Sequence, residues 1–425
     1  MSEQKKVNSS FRILIASLAG TTIEFFDFYI YATAAVLVFP QMFFPNSNPT
    51  AGTLESLATF ALAFFARPIG SALFGHFGDR IGRKATLVAS LMTMGICTVA
   101  IGLLPGYASI GVAAPLLLSL FRFGQGVGLG GEWGGAVLLA TENAPEGKKA
   151  WYGMFPQLGA PLGFILSAGV FLIITNLYTK EQFFTIGWRI PFIASALLVG
   201  IGLYVRLKIV ETPDFVKVLE NNERAKFPLA EVFTKYAKAL ILGTLIAILV
   251  FLFFYLLTVF TLSWGTSVLD YSRSDFLMAQ MISMLFFAIG IMLSAHFAER
   301  YSPANMLLLS SIAIFFFGLC VAQLFVAGHY LLLLTFLCGG MFLIGFNYGP
   351  LGTELASLFP APVRYTGASL AFTLAGILGG SLTPYFATSI AKNHGLQYVG
   401  YYLCAAALLS CVALLFAKSF VKVHH

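Results

Sequence analysis

Apolar residues form long, almost uninterrupted runs along the whole chain, and polar residues gather in the short stretches between them. A helix of about 20 apolar residues crosses the roughly 30 Å hydrocarbon core of a bilayer. The runs lack the period-two alternation of barrel strands, so we expect each one to be a membrane-spanning helix. The twelve predicted spans are 12–39, 53–78, 86–104, 110–141, 148–177, 188–208, 236–263, 275–298, 304–326, 329–358, 364–391 and 398–419.

The composition supports an all-α membrane protein. Hydrophobic residues make up 58% of the 425 residues and charged residues only 10%, whereas a soluble domain carries about 25% charged residues. The first apolar run is too long for the h-region of a signal peptide, so we expect no cleavable leader. The sequence shows no phosphate-binding loop, no zinc-type spacing of His and Cys, and no Ser-His-Asp set. We therefore expect no cofactor, no metal and no enzyme activity.

The basic residues predict the orientation of the chain. An even number of spans places both termini on one side of the membrane. If that side is the cytoplasm, 19 of the 25 Lys and Arg residues face it, Arg206 among them, and four lie outside. This bias is the one that cytoplasmic loops carry. The net charge of +7 therefore reflects topology and not nucleic-acid binding. The remaining two basic residues, Arg67 and Arg122, lie within predicted spans.

The chain divides into two similar halves. Its longest polar stretch, 209–235, separates 1–208 from 236–425, with six predicted spans on each side. The loop "GHFGDRIGRK" (75–84) returns 220 residues later as "AHFAERYSPA" (295–304), with His, Phe, an acid and Arg at matching positions. Two six-helix halves related by duplication are what alternating access requires, because one half can rock against the other around a central site.

Several motifs resemble a known family of transporters. "GHFGDRIGRK" follows the G-x-x-x-D-R-x-G-R-K signature of the major facilitator superfamily, and "RFGQG" (122–126) resembles its R-x-x-Q-G motif. Together with "EFFDFYIY", "GQGVGLGGEWGG", "GWRIPF" and "ETPDF", these motifs resemble the metabolite:proton symporter family, nearest its shikimate-type and inner-membrane metabolite transporters. The resemblance implies two pseudo-symmetric six-helix bundles and proton symport in a bacterial inner membrane. The second-half loop departs from the signature, since Pro303 and Ala304 stand where basic residues are expected.

Acids and bases cluster at one predicted membrane boundary, which favours a gate on the cytoplasmic side. Glycines in the loop allow a tight turn. Asp79 could meet a helix N-terminus or Arg83, while the bases anchor the surface. Topological anchoring alone is the simpler alternative. The candidate gating residues are Gly75, Asp79, Arg80, Gly82, Arg83, Lys84, Glu142 and Glu211.

Two carboxylates, Glu24 and Asp27, interrupt the first apolar run. A carboxylate near the bilayer centre costs about 2.5–3.5 kcal/mol on insertion scales, so it normally faces a cavity or a partner charge. Helical spacing puts both on one face with Tyr31. Asp27 lies about 16 Å from the outer end of its span, at a depth similar to that of Arg122. Glu24 and Arg67 also lie at similar depths in their spans.

These depths suggest separate roles. Burial favours the neutral form of a carboxylate and a nearby Arg favours the charged form, so an anion that draws the Arg away would promote proton uptake. We predict that Asp27 carries the proton and that Arg122 is its switchable partner and the substrate anchor. We predict that Glu24 and Arg67 form a structural ion pair. Glu132 is a further buried acid with a proton or a structural role.

Polar and aromatic residues of other spans are candidate substrate contacts, although helix packing explains each one equally well. The candidates are Tyr31, Arg122, Gln125, Trp133, Gln157, Tyr255, Asn347 and Tyr348. We expect a monomeric importer of a small polar metabolite, an organic acid, driven by proton symport. The alternatives are a symporter of zwitterionic compatible solutes, an export antiporter and a non-transporting membrane sensor.

Overall fold

The described part of the computed structural model covers residues 9–221 and 223–424, and it contains helices and no strands. The twelve principal helices are α1 Ser10–Leu37, α2 Pro49–Ile81, α3 Arg83–Leu103, α4 Ala113–Glu142, α5 Lys149–Leu177, α6 Arg189–Leu207, α7 Ala237–Tyr255 with its continuation Leu256–Phe260 and Thr261–Ser267, α8 Arg273–Tyr301, α9 Pro303–Leu319, α10 Tyr330–Ser357, α11 Arg364–Ala375 with Gly376–Ser381 and Thr383–His394, and α12 Leu396–His424. Short helices join them at Phe39–Phe43, Tyr107–Ile110, Lys180–Gln182, Phe183–Gly187, Pro213–Glu220, Pro228–Thr234, Val321–Leu324 and Ala361–Val363.

The helices match the predicted spans. Ten of the described helices are long and apolar enough to cross a membrane. The other two predicted spans are α9, which is apolar but has only 17 residues, and α4, which has 30 residues and carries buried charges. The prediction of an all-α membrane protein with twelve spans is confirmed.

Contacts between Cα atoms group the chain into two compact units. Unit 1 consists of Met1–Asn143 and Leu158–Pro228, and unit 2 of Ala144–Gln157 and Leu229–His425. The first turns of α5 are thus grouped with unit 2, where Lys148 forms an ion pair with Glu299 at 2.8 Å.

Glycines bring the second and fourth helices of each unit into contact. In unit 1, a Cβ atom on Gly126 of α4 would lie 2.7 Å from the Ala63 backbone of α2. In unit 2, a Cβ atom on Gly345 of α10 would overlap the Phe287 carbonyl oxygen of α8. Glycine removes that obstacle, so the two helix pairs pack backbone to backbone. Close packing of the second and fourth helices at a glycine occurs in both units, which agrees with an internal duplication.

The turn after the second helix is also repeated. Gly82, between α2 and α3, has φ +118°, and Ser302, between α8 and α9, has φ +75°. These positions are the ones that the 220-residue sequence offset relates. A positive φ suits Gly and is uncommon for Ser. The backbone path of the loop is therefore kept where its sequence has changed.

Candidate functional site

Unit 1 buries several charges inside its helices. Among its described residues, three acids and three bases of the membrane-embedded part are at most 7% exposed. A buried charge is stable only with a partner or hydrogen bonds. These residues are Glu24, Asp27, Arg67, Arg122, Glu132 and Arg206.

Asp27 of α1 is held by two hydroxyl groups from other helices. Thr98 of α3 donates to its Oδ2 at 2.7 Å, and Ser195 of α6 donates to its Oδ1 at 2.6 Å. Hydrogen bonds of this kind favour the charged form of a carboxylate. Neither hydroxyl was expected from the sequence, because a single Thr or Ser in a span carries no signal of its own.

Arg122 of α4 is connected to Asp27 through two side chains. Its Nη1 donates to Gln125 Oε1 at 3.0 Å, and Gln125 Nε2 lies 2.6 Å from Thr98 Oγ1, the hydroxyl that donates to Asp27. The predicted pair is therefore linked by a hydrogen-bonded chain.

Aromatic rings surround the guanidinium of Arg122. Its Cζ atom lies 4.0 Å from the centre of the Tyr31 ring, 4.9 Å from Phe60 and 5.2 Å from Phe28. Such contacts stabilise a desolvated cation by about 2 kcal/mol. The Tyr31 hydroxyl is in turn 2.7 Å from Thr59 Oγ1.

Glu24 and Arg67 form an ion pair between α1 and α2, at the depth match expected from the sequence. Glu24 is fully buried and Arg67 is 7% exposed. The Arg67 guanidinium also lies 6.0 Å from the Phe28 ring, which is shared with Arg122. The structural role assigned to this pair stays a prediction.

Glu132 of α4 forms a two-point ion pair with Arg206 of α6. Arg206 Nη1 donates to Glu132 Oε2 at 2.9 Å, its Nη2 binds Oε1, and Nη1 also reaches the Leu87 carbonyl at 2.7 Å. The assignment of Arg206 to the cytoplasmic surface was wrong, because Gly20 leaves the space into which its side chain turns. The signal was available in the sequence, since Glu132 was the buried acid without a base at its depth.

A second cluster of charges lies at the end of unit 1 that is predicted to face the cytoplasm. Arg83 is fully buried, where a surface anchor was expected. It contacts Asp79 at 3.3 Å and binds Glu142 through Nε and Nη2, both at 3.3 Å. Glu211 Oε1 accepts from the Arg83 backbone N–H at 3.0 Å, so this acid caps the start of α3.

The remaining gating candidates differ in exposure. Gly75 and Gly82 are buried, Arg80 is exposed, and Lys84 is half-buried with its Nζ 2.9 Å from the Leu207 carbonyl. Asp79 contacts Arg83, one of the two partners expected from the sequence. A gating function for these residues stays a prediction.

The other substrate candidates are buried in helix contacts. Trp133 and Gln157 are at most 2% exposed, and Tyr255 is 8% exposed. In unit 2, Asn347 Nδ2 donates to Ser310 Oγ on α9 at 2.8 Å. The Tyr348 ring stacks on Phe287 with centroids 5.8 Å apart. Substrate contact by these residues stays a prediction.

Sequence comparison identifies relatives over the whole chain. A profile of the family described as "Sugar (and other) transporter" matches residues 12–238. The inner membrane metabolite transport protein YhjE of Escherichia coli (strain K12) is 52% identical over 97% of this chain and 95% of its own. The shikimate transporter of the same strain is 34% identical over 96% of this chain and 94% of its own.

Structural comparison gives the same fold. The proton:xylose symporter XylE of the major facilitator superfamily, bound to 6-bromo-6-deoxy-D-glucose, matches with a TM-score of 0.74 and 17% identity, covering 97% of this chain and 96% of XylE. The chain therefore belongs to the "Sugar (and other) transporter" family within the major facilitator superfamily, and it is a secondary transporter and not an enzyme.

Proposed function

We propose that this chain imports a small organic acid by proton symport and alternating access, as a multi-pass protein of a bacterial inner membrane with both termini in the cytoplasm. One observation supports the proton coupling most directly: the hydrogen-bonded chain from Asp27 through Thr98 and Gln125 to Arg122. The inner-membrane description of the YhjE relative supports the location. The transport unit is a monomer.

The chain of hydrogen bonds gives a physical route to coupling. A substrate carboxylate that binds Arg122 competes with Gln125 for the guanidinium. Gln125 then shifts its amide and no longer donates to the Thr98 hydroxyl in the present geometry. The hydrogen bond from Thr98 to Asp27 is disturbed in turn, so the charged form of Asp27 is stabilised less. Proton uptake at Asp27 follows substrate binding, and by linkage a protonated Asp27 strengthens substrate binding by the same factor.

The surroundings of Arg122 favour a carboxylated substrate. Arg presents N–H donors in a planar fork that fits a carboxylate, and the Tyr31 and Phe60 rings offer apolar walls for a small carbon skeleton. The shikimate transporter at 34% identity agrees with this class.

A zwitterionic solute carries a carboxylate too and is the second candidate. An exporter would use the same groups with the opposite coupling. Membership of the transporter family argues against a non-transporting membrane sensor.

The coupling is tested with Asp27→Asn in proteoliposomes. Asn keeps the shape of the side chain but cannot take up a proton, so accumulation driven by an imposed pH gradient should fall to the level of empty vesicles. Counterflow exchange of the same substrate, which needs no net proton movement, should persist. Asp270→Asn is the matched control, because Asp270 is exposed in a loop at φ +57°, a conformation that Asn accepts. Accumulation by Asp27→Asn would assign the proton to Glu24 or Glu132.

The substrate class is tested by ligand-induced thermal stabilisation with organic acids, betaines and amino acids. The organic acid that stabilises the wild type should lose its effect in Arg122→Ala, which removes the anion's anchor. It should keep most of its effect in Asp27→Asn. Stabilisation by betaines alone would instead identify a compatible-solute carrier. Retention of acid binding by Arg122→Ala would contradict the assigned anchor.

A further inference from the structure

A cavity of about 650 Å³ lies within unit 2 and is lined by residues other than the Asp27 and Arg122 site. It is formed by the turn before α9 and the ends of α10 and α12. All three belong to the side predicted to face the cytoplasm. The lining residues are Ser302, Ala304, Asn305, Glu354, Ser357, Lys418 and Ser419.

Glu354 is the buried acid of this cavity. It is 8% exposed, yet none of the side chains that the structure describes donates a hydrogen bond to its carboxylate or forms an ion pair with it. A buried carboxylate without a partner is costly, and a cation or a set of N–H donors would remove that cost. Glu354 therefore lines the cavity with a carboxylate that no described side chain pairs.

Unit 1 also carries an acid at the end of its fourth helix, and there side chains compensate its charge. There, Arg83 provides the cation for Glu142, which ends the fourth helix, and the Glu211 carboxylate binds the start of α3. The repeat offset of 220 residues relates Arg83 to Pro303 and Lys84 to Ala304. Unit 2 thus has an acid near the end of its own fourth helix but no Arg at the matching turn.

The cavity is also lined by a cation. Lys418 of α12 is half-buried, binds the Asn305 side chain, and acts on Glu354 through its charge without forming an ion pair with it. The two charges therefore stand apart across a space lined by small hydroxyl side chains. A ligand that satisfies both must carry a positive donor group and an anionic group.

We propose that this cavity binds a zwitterion, whose primary ammonium group contacts Glu354 and whose carboxylate or phosphate contacts Lys418. The ammonium group of the ligand would compensate Glu354 as the Arg83 side chain compensates Glu142 in unit 1. Two sources have this chemistry: a free amino acid and an aminoethyl phosphate headgroup of a lipid.

The test measures thermal unfolding of the purified full chain with β-alanine as the zwitterionic probe. Propionate and ethylammonium are its two halves. β-Alanine should raise the unfolding midpoint in a saturable way, and each half should do so much less, because binding to the folded state alone stabilises it. The same measurement in nanodiscs compares phosphatidylethanolamine with phosphatidylglycerol, which has no ammonium group. Stabilisation by β-alanine identifies a free zwitterion, and stabilisation by phosphatidylethanolamine alone identifies the headgroup.

Two variants locate the effect in the cavity. Glu354→Gln and Lys418→Gln should each weaken the apparent affinity for the stabilising zwitterion at least tenfold. Lys235→Gln is the matched control, because Lys235 of the same unit is exposed and pairs only with Glu231 one turn away at 3.1 Å. Lys418 is less buried than Glu354, so its variant keeps the test valid if Glu354→Gln folds poorly. The proposal is overturned if no zwitterion stabilises the wild type, or if both cavity variants respond like the wild type.

Discussion

Gly20 shows at the scale of one residue how unit 1 accommodates its buried charges. A Cβ atom at this position would overlap the Arg206 guanidinium and the Glu132 carboxylate. Gly20 lies one helical turn before Glu24 on the same face of α1, so the absence of a side chain decides whether the Glu132–Arg206 pair can form beside it.

We predict that Gly20→Ala lowers the stability of the protein by about 1–3 kcal/mol, the usual cost of overpacking a filled interior. The ion pair would have to shift, since the atoms in the way are its own. The thermal unfolding midpoint of the detergent-purified protein, with its yield from membranes, measures the effect.

Gly200→Ala is the control for that substitution. Gly200 lies inside α6, and a Cβ atom there meets nothing within 4 Å. Ala is a better helix former than Gly, so this variant should unfold at the wild-type temperature or above it. Equal behaviour of the two variants would show that Gly20 does not determine the packing of Glu132 and Arg206.

Single residues also show how far a sequence predicts a site. Periodicity and depth matched Glu24 with Arg67, because both lie on helices whose ends are visible in the sequence. Arg206 was misplaced because its position near the end of a span matched a surface base equally well. The Thr98 and Ser195 hydroxyls at Asp27 depend on the rotation of α3 and α6, which hydrophobicity does not determine in helices that are apolar on most faces.

At the scale of an element, the starts of α3 and α9 use different caps for the same turn. Glu211 from the segment after α6 binds the N–H groups of Arg83 and Lys84, at 3.0 and 3.3 Å. In unit 2, the Ser302 hydroxyl accepts from the Asn305 N–H at 3.4 Å. Gly82 has no side chain with which to cap, so a distant acid is needed there. The same turn is therefore kept with a different cap in each unit.

We predict that Asp79→Asn leaves insertion and folding intact and slows transport strongly. Arg83 keeps two hydrogen bonds to Glu142, so the buried cation stays compensated after the change. What is lost is the second negative charge beside Arg83, at the end of α2 that is predicted to face the cytoplasm and to carry a gate. Initial rates of counterflow exchange, normalised to protein in proteoliposomes, test this prediction.

A gating role and a packing role for Asp79 give different results. Loss of a gate lowers the exchange rate while the affinity for the stabilising ligand stays near its wild-type value. Loss of packing lowers the unfolding temperature and the yield together. Asp270→Asn again controls for the chemical change. Wild-type exchange rates in a well-expressed Asp79→Asn protein would refute the gate.

The distribution of basic residues acts at the scale of the whole molecule. Most Lys and Arg residues fall in the segments that would share a side with both termini, and this excess is the feature that orients helical membrane proteins. Burial of Arg83 and Arg206 removes two of them from the surface without moving them to the other side. The loops that join the helices therefore keep their excess of basic residues on the side of both termini.

We predict from this bias that Glu146 faces the cytoplasm and that Asn393 faces the opposite side. Both residues are exposed, so a Cys at either position can react with a maleimide that does not cross membranes. In a background in which the exposed Cys320 is replaced by Ala, Asn393→Cys should be labelled in intact cells. Glu146→Cys should be labelled only after the membrane is opened, because reagent outside the cell cannot reach it. The reverse pattern would place both termini outside and would invert the direction of the proposed proton coupling.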